Sequence, residues 1–402
     1  MSLLIKNAKC YIDGKLVEKN IFCKDGRIAK ITSQEPKAEI VLNAKGKVAL
    51  PGFIDPHVHF REPGLTRKED FLTGSMAAAK GGITTIQDMP NTIPPILTVK
   101  MLDEKRKLAA KSVVNWGLHF GASQNNIEEI KKAKNIPSVK VYMDHTTGNL
   151  KIEDFSMLKG IFEHMHLTCF HAENEHITVA LGYLKKSKNR QSCAYICHTS
   201  SEAELKLARM DKSLNNRVFV EVTPQHLFMT VDDVKKIGPF AEMKPRLKTL
   251  QDQKALWVGI KEGTVNTIGT DHAPHLPSEK QKSEFPYGVP GVETMVPLLL
   301  NAYNEKRIEL PKIVELCSEN TAKIFRMKHK GVLKEDYDAD ITLVDLEMKK
   351  NVRNEKLLSK CGWSPFDGKV LKGWAVATIV GGNVVYDGEE VKDIKAREVK
   401  YG

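Results

Sequence analysis

Between Pro51 and Met327, eight short apolar runs alternate with polar segments of helical period, and this alternation constrains the fold more than any other feature. The runs read GFIDPHVHF, ITTIQDM, VVNWGLHF, SVKVYM, LTCFH, CAYICH, RVFVEV and TVNTIGTD, with segments such as KEDFLTGSMAAAKGG between them. Apolar runs of this length suit buried parallel strands, and the intervening segments suit crossover helices. Eight such units predict an α/β fold, a (β/α)8 barrel of the TIM type with its functional side chains at the C-terminal ends of the strands. The two ends of the chain have a different rhythm. Asp13-Gly14, Asp25-Gly26 and Gly381-Gly382 each separate alternating runs, which is a hairpin signal. The expected organisation is a barrel over 51–327 and a small β-sandwich domain assembled from both termini, 1–50 and 328–402.

The 402 residues carry 61 Lys and Arg against 50 Asp and Glu, a net charge of +11. These cations are spread through mixtures such as LKLARMDKS, with no basic block interleaved with aromatics, so no nucleic-acid partner is expected. No apolar run has the length of a bilayer span, and a lysine interrupts the apolar start MSLLIKNAKCYIDG, so neither membrane nor signal peptide is expected. Seven scattered cysteines, an odd number, fit reduced thiols in a cytoplasmic protein. Cys193 and Cys197 fall in an apolar run and read as buried thiols rather than a metal pair.

The strand ends carry unusual side chains. The first run holds His57 and His59, whose side chains share one face of a strand. Lys140 lies inside the fourth run, His171 and His198 end the fifth and sixth, and Asp271 ends the eighth. Singly, each has an ordinary explanation as a hydrogen-bonded core or rim residue. Lys140 is the exception, because a buried ammonium needs a partner. Four histidines and an aspartate at successive strand ends together read as a metal centre, and imidazole with carboxylate suits zinc.

The stretches DPHVHFREPG (Asp55 to Gly64) and GTDHAPHLPSEK (Gly269 to Lys280), with DMPNT, HAEN, CHTS and PYGVPGVET, resemble the amidohydrolase superfamily. Within it the chain is similar to the cyclic amidohydrolases, and in detail to the dihydroorotase family of de novo pyrimidine biosynthesis, which interconverts N-carbamoyl-L-aspartate and L-dihydroorotate. The resemblance implies two zinc ions, one held by His57, His59 and Asp271, the other by His171 and His198. Lys140 would carry a bridging carbamate, with Asp144 as the rival bridge. A metal-activated hydroxide would attack the ring amide, and Asp271 would serve as general acid and base. Arg61 would grip the substrate carboxylate with Asn91 and His59, while His275 and the backbone at Tyr287-Gly288 would contact the ring. A homodimer and an association with aspartate transcarbamoylase are partners the resemblance allows.

Three features depart from the family pattern. Lys244 stands where many relatives have a substrate-binding Asn, Gln225-His226 replaces a His-His pair, and the stretch from His171 to His198 is short. His226 reads as structural. Two other readings follow: a ring hydrolase of the hydantoinase or allantoinase kind, against which Arg61 and His275 argue, and a non-catalytic scaffold subunit, against which the complete ligand set argues. The segment 144–150 is a candidate loop to close over a substrate.

Overall fold

A computed structural model describes residues 1–145, 150–214 and 216–402. Each of the eight apolar runs contributes a strand to one parallel barrel. The strands are Phe53–Val58, Ile83–Asp88, Asn115–Leu118 with Phe120–Gly121, Val139–Tyr142, Leu167–His171, Cys193–Ile196, Val218–Val222 and Thr267–Ile268. Neighbours pair in parallel in chain order, and a parallel bridge between Val58 and His272 joins the first strand to the end of the eighth. The third strand is interrupted at His119, whose ring turns inward to Ser138 Oγ at 2.8 Å and the Pro56 carbonyl at 3.1 Å. Burial on both faces explains why the runs are continuously apolar: the first, second and fourth strands are buried throughout.

Local chemistry sets the crossover helices. Asp70 caps Phe71–Lys80 by accepting from the backbone N–H groups of Leu72 and Thr73, and Thr73 completes a capping box. Thr249 does the same for Leu250–Glu262, which ends on Gly263 at φ 78°, a left-handed turn suited to glycine.

The terminal segments form one eight-stranded sheet. Its spatial order is Asn383–Tyr386, Val370–Val380, Ile341–Asn351, Val48–Pro51, Ser2–Ile12, Lys15–Lys24 and Arg27–Thr32, with Ile40–Asn43 paired to Ser2–Ile12. Ile5, Cys10, Ile21, Ile28, Ala49, Ile341 and Ile379 share a single core, so strands from both ends of the sheet pack against one another as a sandwich. The last residues leave this sheet and run along the barrel. Glu398 bridges Trp116 and Tyr401 bridges Met327, while the Tyr401 hydroxyl accepts a hydrogen bond from the Gln87 amide. Among the described residues no helix is long and apolar enough to cross a membrane.

Candidate active site

The barrel mouth collects the residues singled out above. Except for His275 and the rival Asp144, they all line one cavity, together with Tyr142, Lys244 and Ala273. His57 belongs to the first strand and His59 follows it, Lys140 is inside the fourth, His171 ends the fifth, and His198 and Asp271 sit just past the sixth and eighth. Arg61, His198 and Asp271 have positive φ of 63°, 38° and 46°. Such backbone is uncommon for residues other than glycine and clusters at functional sites, where it re-aims side chains as the strand gives way to its loop.

His57 Nε2 and His59 Nε2 converge on Asp271 Oδ1, at 3.3 and 3.0 Å. Four ligands at zinc bond lengths in a tetrahedron lie about 3.3 Å apart, so this trio has the spacing of metal ligands. The other ring nitrogens are occupied: His57 Nδ1 lies 2.8 Å from Glu221 Oε1, and His59 Nδ1 2.6 Å from Asn91 Oδ1. Each acceptor takes the Nδ1 proton and leaves the Nε2 lone pair facing the cavity, the usual support for a metal-ligating histidine. Beside them the rings of His171 and His198 meet edge-on at 4.5 Å. Their His171 Nε2 and His198 Nδ1 atoms are buried and have no hydrogen-bond partner among the described residues. Orphaned buried nitrogens are rare unless a ligand completes them, so the donor set fits a metal centre. Burial pushes His57 and His198 well below the ordinary imidazole value and His171 down to about 3, keeping all three neutral. Burial opposes ionisation of Asp271, but its polar surroundings, the charge of Lys140 among them, hold its carboxyl below the usual range.

Lys140 is fully buried, and its Nζ lies 2.9 Å from Cys197 Sγ. Burial pushes the Cys197 thiol far above its ordinary value, so it supplies no negative charge to balance an ammonium. The seven cysteines are free and buried, including Cys193 and Cys197, whose apolar run predicted it.

Glu221, in the seventh strand, went unread in the sequence. It accepts from His57, from the His198 backbone N–H at 2.9 Å and from the Tyr195 hydroxyl at 2.8 Å, linking the two halves of the ligand set. Gly269 makes room for it, since a Cβ there would lie 2.5 Å from Glu221 Oε2. The available signal was a lone carboxylate inside the apolar run RVFVEV.

Two of the residues singled out stand apart from the cavity lining. Asp144 accepts from the Glu173 backbone N–H at 2.7 Å and lies 2.9 Å from His176 Nδ1, outside the cavity, so it is engaged away from the ligand set. The loop 144–150 is described only at its ends, and residues 146–149 lie outside the described residues. His275 stands behind the cavity wall. Its Nδ1 lies 2.9 Å from Lys68 Nζ, which can only donate, so the ring proton sits on Nε2 and is given to the Tyr287 carbonyl at 3.0 Å. His275 Nε2 also lies 3.1 Å from Arg61 Nη2, which places the ring beside the guanidinium that lines the cavity.

Arg61 is buried, with Nε donating to the Pro274 carbonyl at 3.1 Å, and burial lowers its guanidinium to about 10. Across the cavity Lys244 Nζ rests 4.8 Å above the Tyr287 ring. Lys280, also buried, donates to the carbonyls of Glu242, Pro286 and Gly288 and holds the Tyr287-Gly288 segment in place.

A family model described as the amidohydrolase family matches residues 48–385. The chain belongs to the amidohydrolase family. Amidohydrolases work at a metal centre, and the converging His57, His59 and Asp271 are candidate residues to hold one. Among curated amidohydrolases, the chain is 37% identical to a dihydroorotase of Methanosarcina mazei over 90% of each chain. It is 35% identical to a dihydroorotase of Pyrococcus furiosus, covering 96% of this chain and 94% of that one. In structure it is similar to the L-hydantoinase (dihydropyrimidinase) of Arthrobacter aurescens, with a TM-score of 0.93, 28% identity and 99% coverage of both chains.

Proposed function

We propose that the chain is a zinc-dependent dihydroorotase that interconverts L-dihydroorotate and N-carbamoyl-L-aspartate. The observation that carries this reading is Arg61, a buried guanidinium beside the ligand set whose hydrogen-bond partners are uncharged, the Pro274 carbonyl and the His275 ring. A substrate carboxylate would complete it by a charge-assisted, bidentate contact.

His57, His59 and Asp271 would hold one zinc ion and His171 and His198 the other, with a carbamate on Lys140 between them. Such a pair, when bound, lowers the pKa of a water and polarises the ring carbonyl. The chain's own groups do the rest. Asp271, held ionised, takes a proton at its carboxylate and returns it to the leaving ring nitrogen. Asn91 shares the substrate carboxylate with Arg61, and the backbone at Tyr287-Gly288, held by Lys280, contacts the ring. The cavity is narrow, and the half-buried Lys244 and Tyr287 are among the side chains that line it. With zinc and a small-molecule substrate as its partners, the protein would work in the cytoplasm. The homodimer and the transcarbamoylase association are tested by light scattering of the protein alone and of the mixture.

The likeness to an L-hydantoinase structure supports a second reading, a hydrolase of neutral cyclic amides. Turnover of L-dihydroorotate, hydantoin and allantoin by zinc-reconstituted protein separates the two. Preferential opening of dihydroorotate, lost on chelation, is expected. Preference for the neutral rings would replace this reading with the second.

A further inference from the structure

At the end of the barrel opposite the metal ligands, the starts of strands five to eight surround a cleft of about 740 Å³. His166, Cys193, Arg217 and Asn266, each at or just before the first residue of a strand, form its floor with Phe219. Five cationic side chains line it, Arg190, Lys212, Arg217, Lys323 and Arg326, and no carboxylate does. None of the five makes a salt bridge among the described residues. The adjacent Asp211 is already paired with Lys185 at 2.9 Å. Arg217 is built in rather than dangling: its guanidinium is fixed by the carbonyls of Ser192, Leu184 and Asn189 at 2.8 to 3.3 Å. Those neutral acceptors orient the charge without cancelling it, and the neighbouring Arg190 opposes it. Concentrating like charge around one concavity is unfavourable unless an anion relieves it.

We propose that this cleft binds a small polyphosphate ligand of the nucleoside triphosphate class. Guanidinium and ammonium groups converging from several segments suit a chain of phosphates. The volume lies within the roughly 300–1,000 Å³ typical of small-molecule sites. The half-buried Phe219, beside Ile324, offers an apolar face for a base, and Gln191, Asn216 and Asn266 offer amides to its edge. A nucleic acid would call for a stacking platform along an extended groove, whereas the cleft offers only Phe219 and the His166 ring within one concavity. The site is remote from the barrel mouth and stands independently of the reaction assigned there.

The test is calorimetric titration of the zinc-loaded full chain at about 0.15 M ionic strength, with excess magnesium. The probes are MgATP, MgUTP, magnesium tripolyphosphate, inorganic phosphate and a single-stranded oligonucleotide. One-to-one binding of the triphosphates is expected, with Kd raised about tenfold or more by Lys323→Glu with Arg326→Glu and the ring-opening activity of that variant unchanged. Tighter binding of nucleotides than of tripolyphosphate assigns Phe219 to the base, and equal binding assigns the site to the polyphosphate alone. Absence of saturable triphosphate binding, equal affinity in the double variant, or a preference for the oligonucleotide would overturn the proposal.

Discussion

Glu221 Oε1 lies 2.8 Å from His57 Nδ1 and also accepts from the His198 backbone N–H, so one carboxylate orients residues of both proposed ligand groups. Glu221→Gln keeps the shape but weakens the acceptor that sets the His57 tautomer. Zinc affinity, read by competition with a chromogenic chelator, should fall about 10- to 100-fold with the fold intact by circular dichroism. Unchanged affinity would show that Glu221 does not support the centre.

Lys140 Nζ lies 2.9 Å from the Cys197 thiol and forms no salt bridge at contact distance among the described residues. A carbamate would turn it into a two-oxygen acceptor. Protein reconstituted with zinc in ¹³C-bicarbonate should show one carbamate carbon resonance that Lys140→Met abolishes, together with a fall in bound zinc. A spectrum without that resonance, at full zinc occupancy and activity, would rule the bridge out.

Lys244 lines the cavity, with its Nζ 4.8 Å above the Tyr287 ring. Its ammonium should attract the anionic substrates. Lys244→Asn should raise KM for N-carbamoyl-aspartate about tenfold or more and weaken the salt dependence of kcat/KM, with kcat affected less. A KM that does not move would assign Lys244 to the Tyr287 ring alone.

His226 Nε2 donates to the Pro245 carbonyl at 3.1 Å and its Nδ1 accepts from Thr223 Oγ1 at 2.8 Å, so the folded state holds the neutral ring, and burial lowers it from 6.5 to about 4. Between those values the unfolded chain binds more protons than the folded one, so stability is lost as pH falls. Going from pH 7.5 to 5, this group should cost about 2 kcal/mol. Urea titrations should show a correspondingly smaller loss in His226→Gln.

The barrel was legible because burial on both faces forces continuous apolar runs, and each of the eight became a strand. The residues that line the cavity were legible for the opposite reason: His57, His59, Lys140, His171 and His198 are polar interruptions at the ends or in the middle of those runs. What could not be read depends on contacts between distant segments. Glu221 earns its place only when strands one, six and seven are brought together, and a single carboxylate in RVFVEV carries no spacing signal. His275 sits in the DHAPH stretch that suggested a ligand contact, yet Lys68, more than two hundred residues earlier in the chain, takes its Nδ1. Docking of Glu398 and Tyr401 on the barrel rests on isolated backbone bridges and on the side chains of Arg106 and Gln87, which leave no periodicity in REVKYG.

The account turns on Arg61 as the group that holds a substrate carboxylate beside the metal ligands. The direct measurement is kcat/KM for L-dihydroorotate and for dihydrouracil, the same ring without the carboxylate, in zinc-loaded wild type and Arg61→Met. Wild type should favour dihydroorotate strongly, and the substitution should lower kcat/KM for that substrate by about 100-fold or more while leaving dihydrouracil little changed. Equal losses on both rings, or no loss on either, would contradict the assignment.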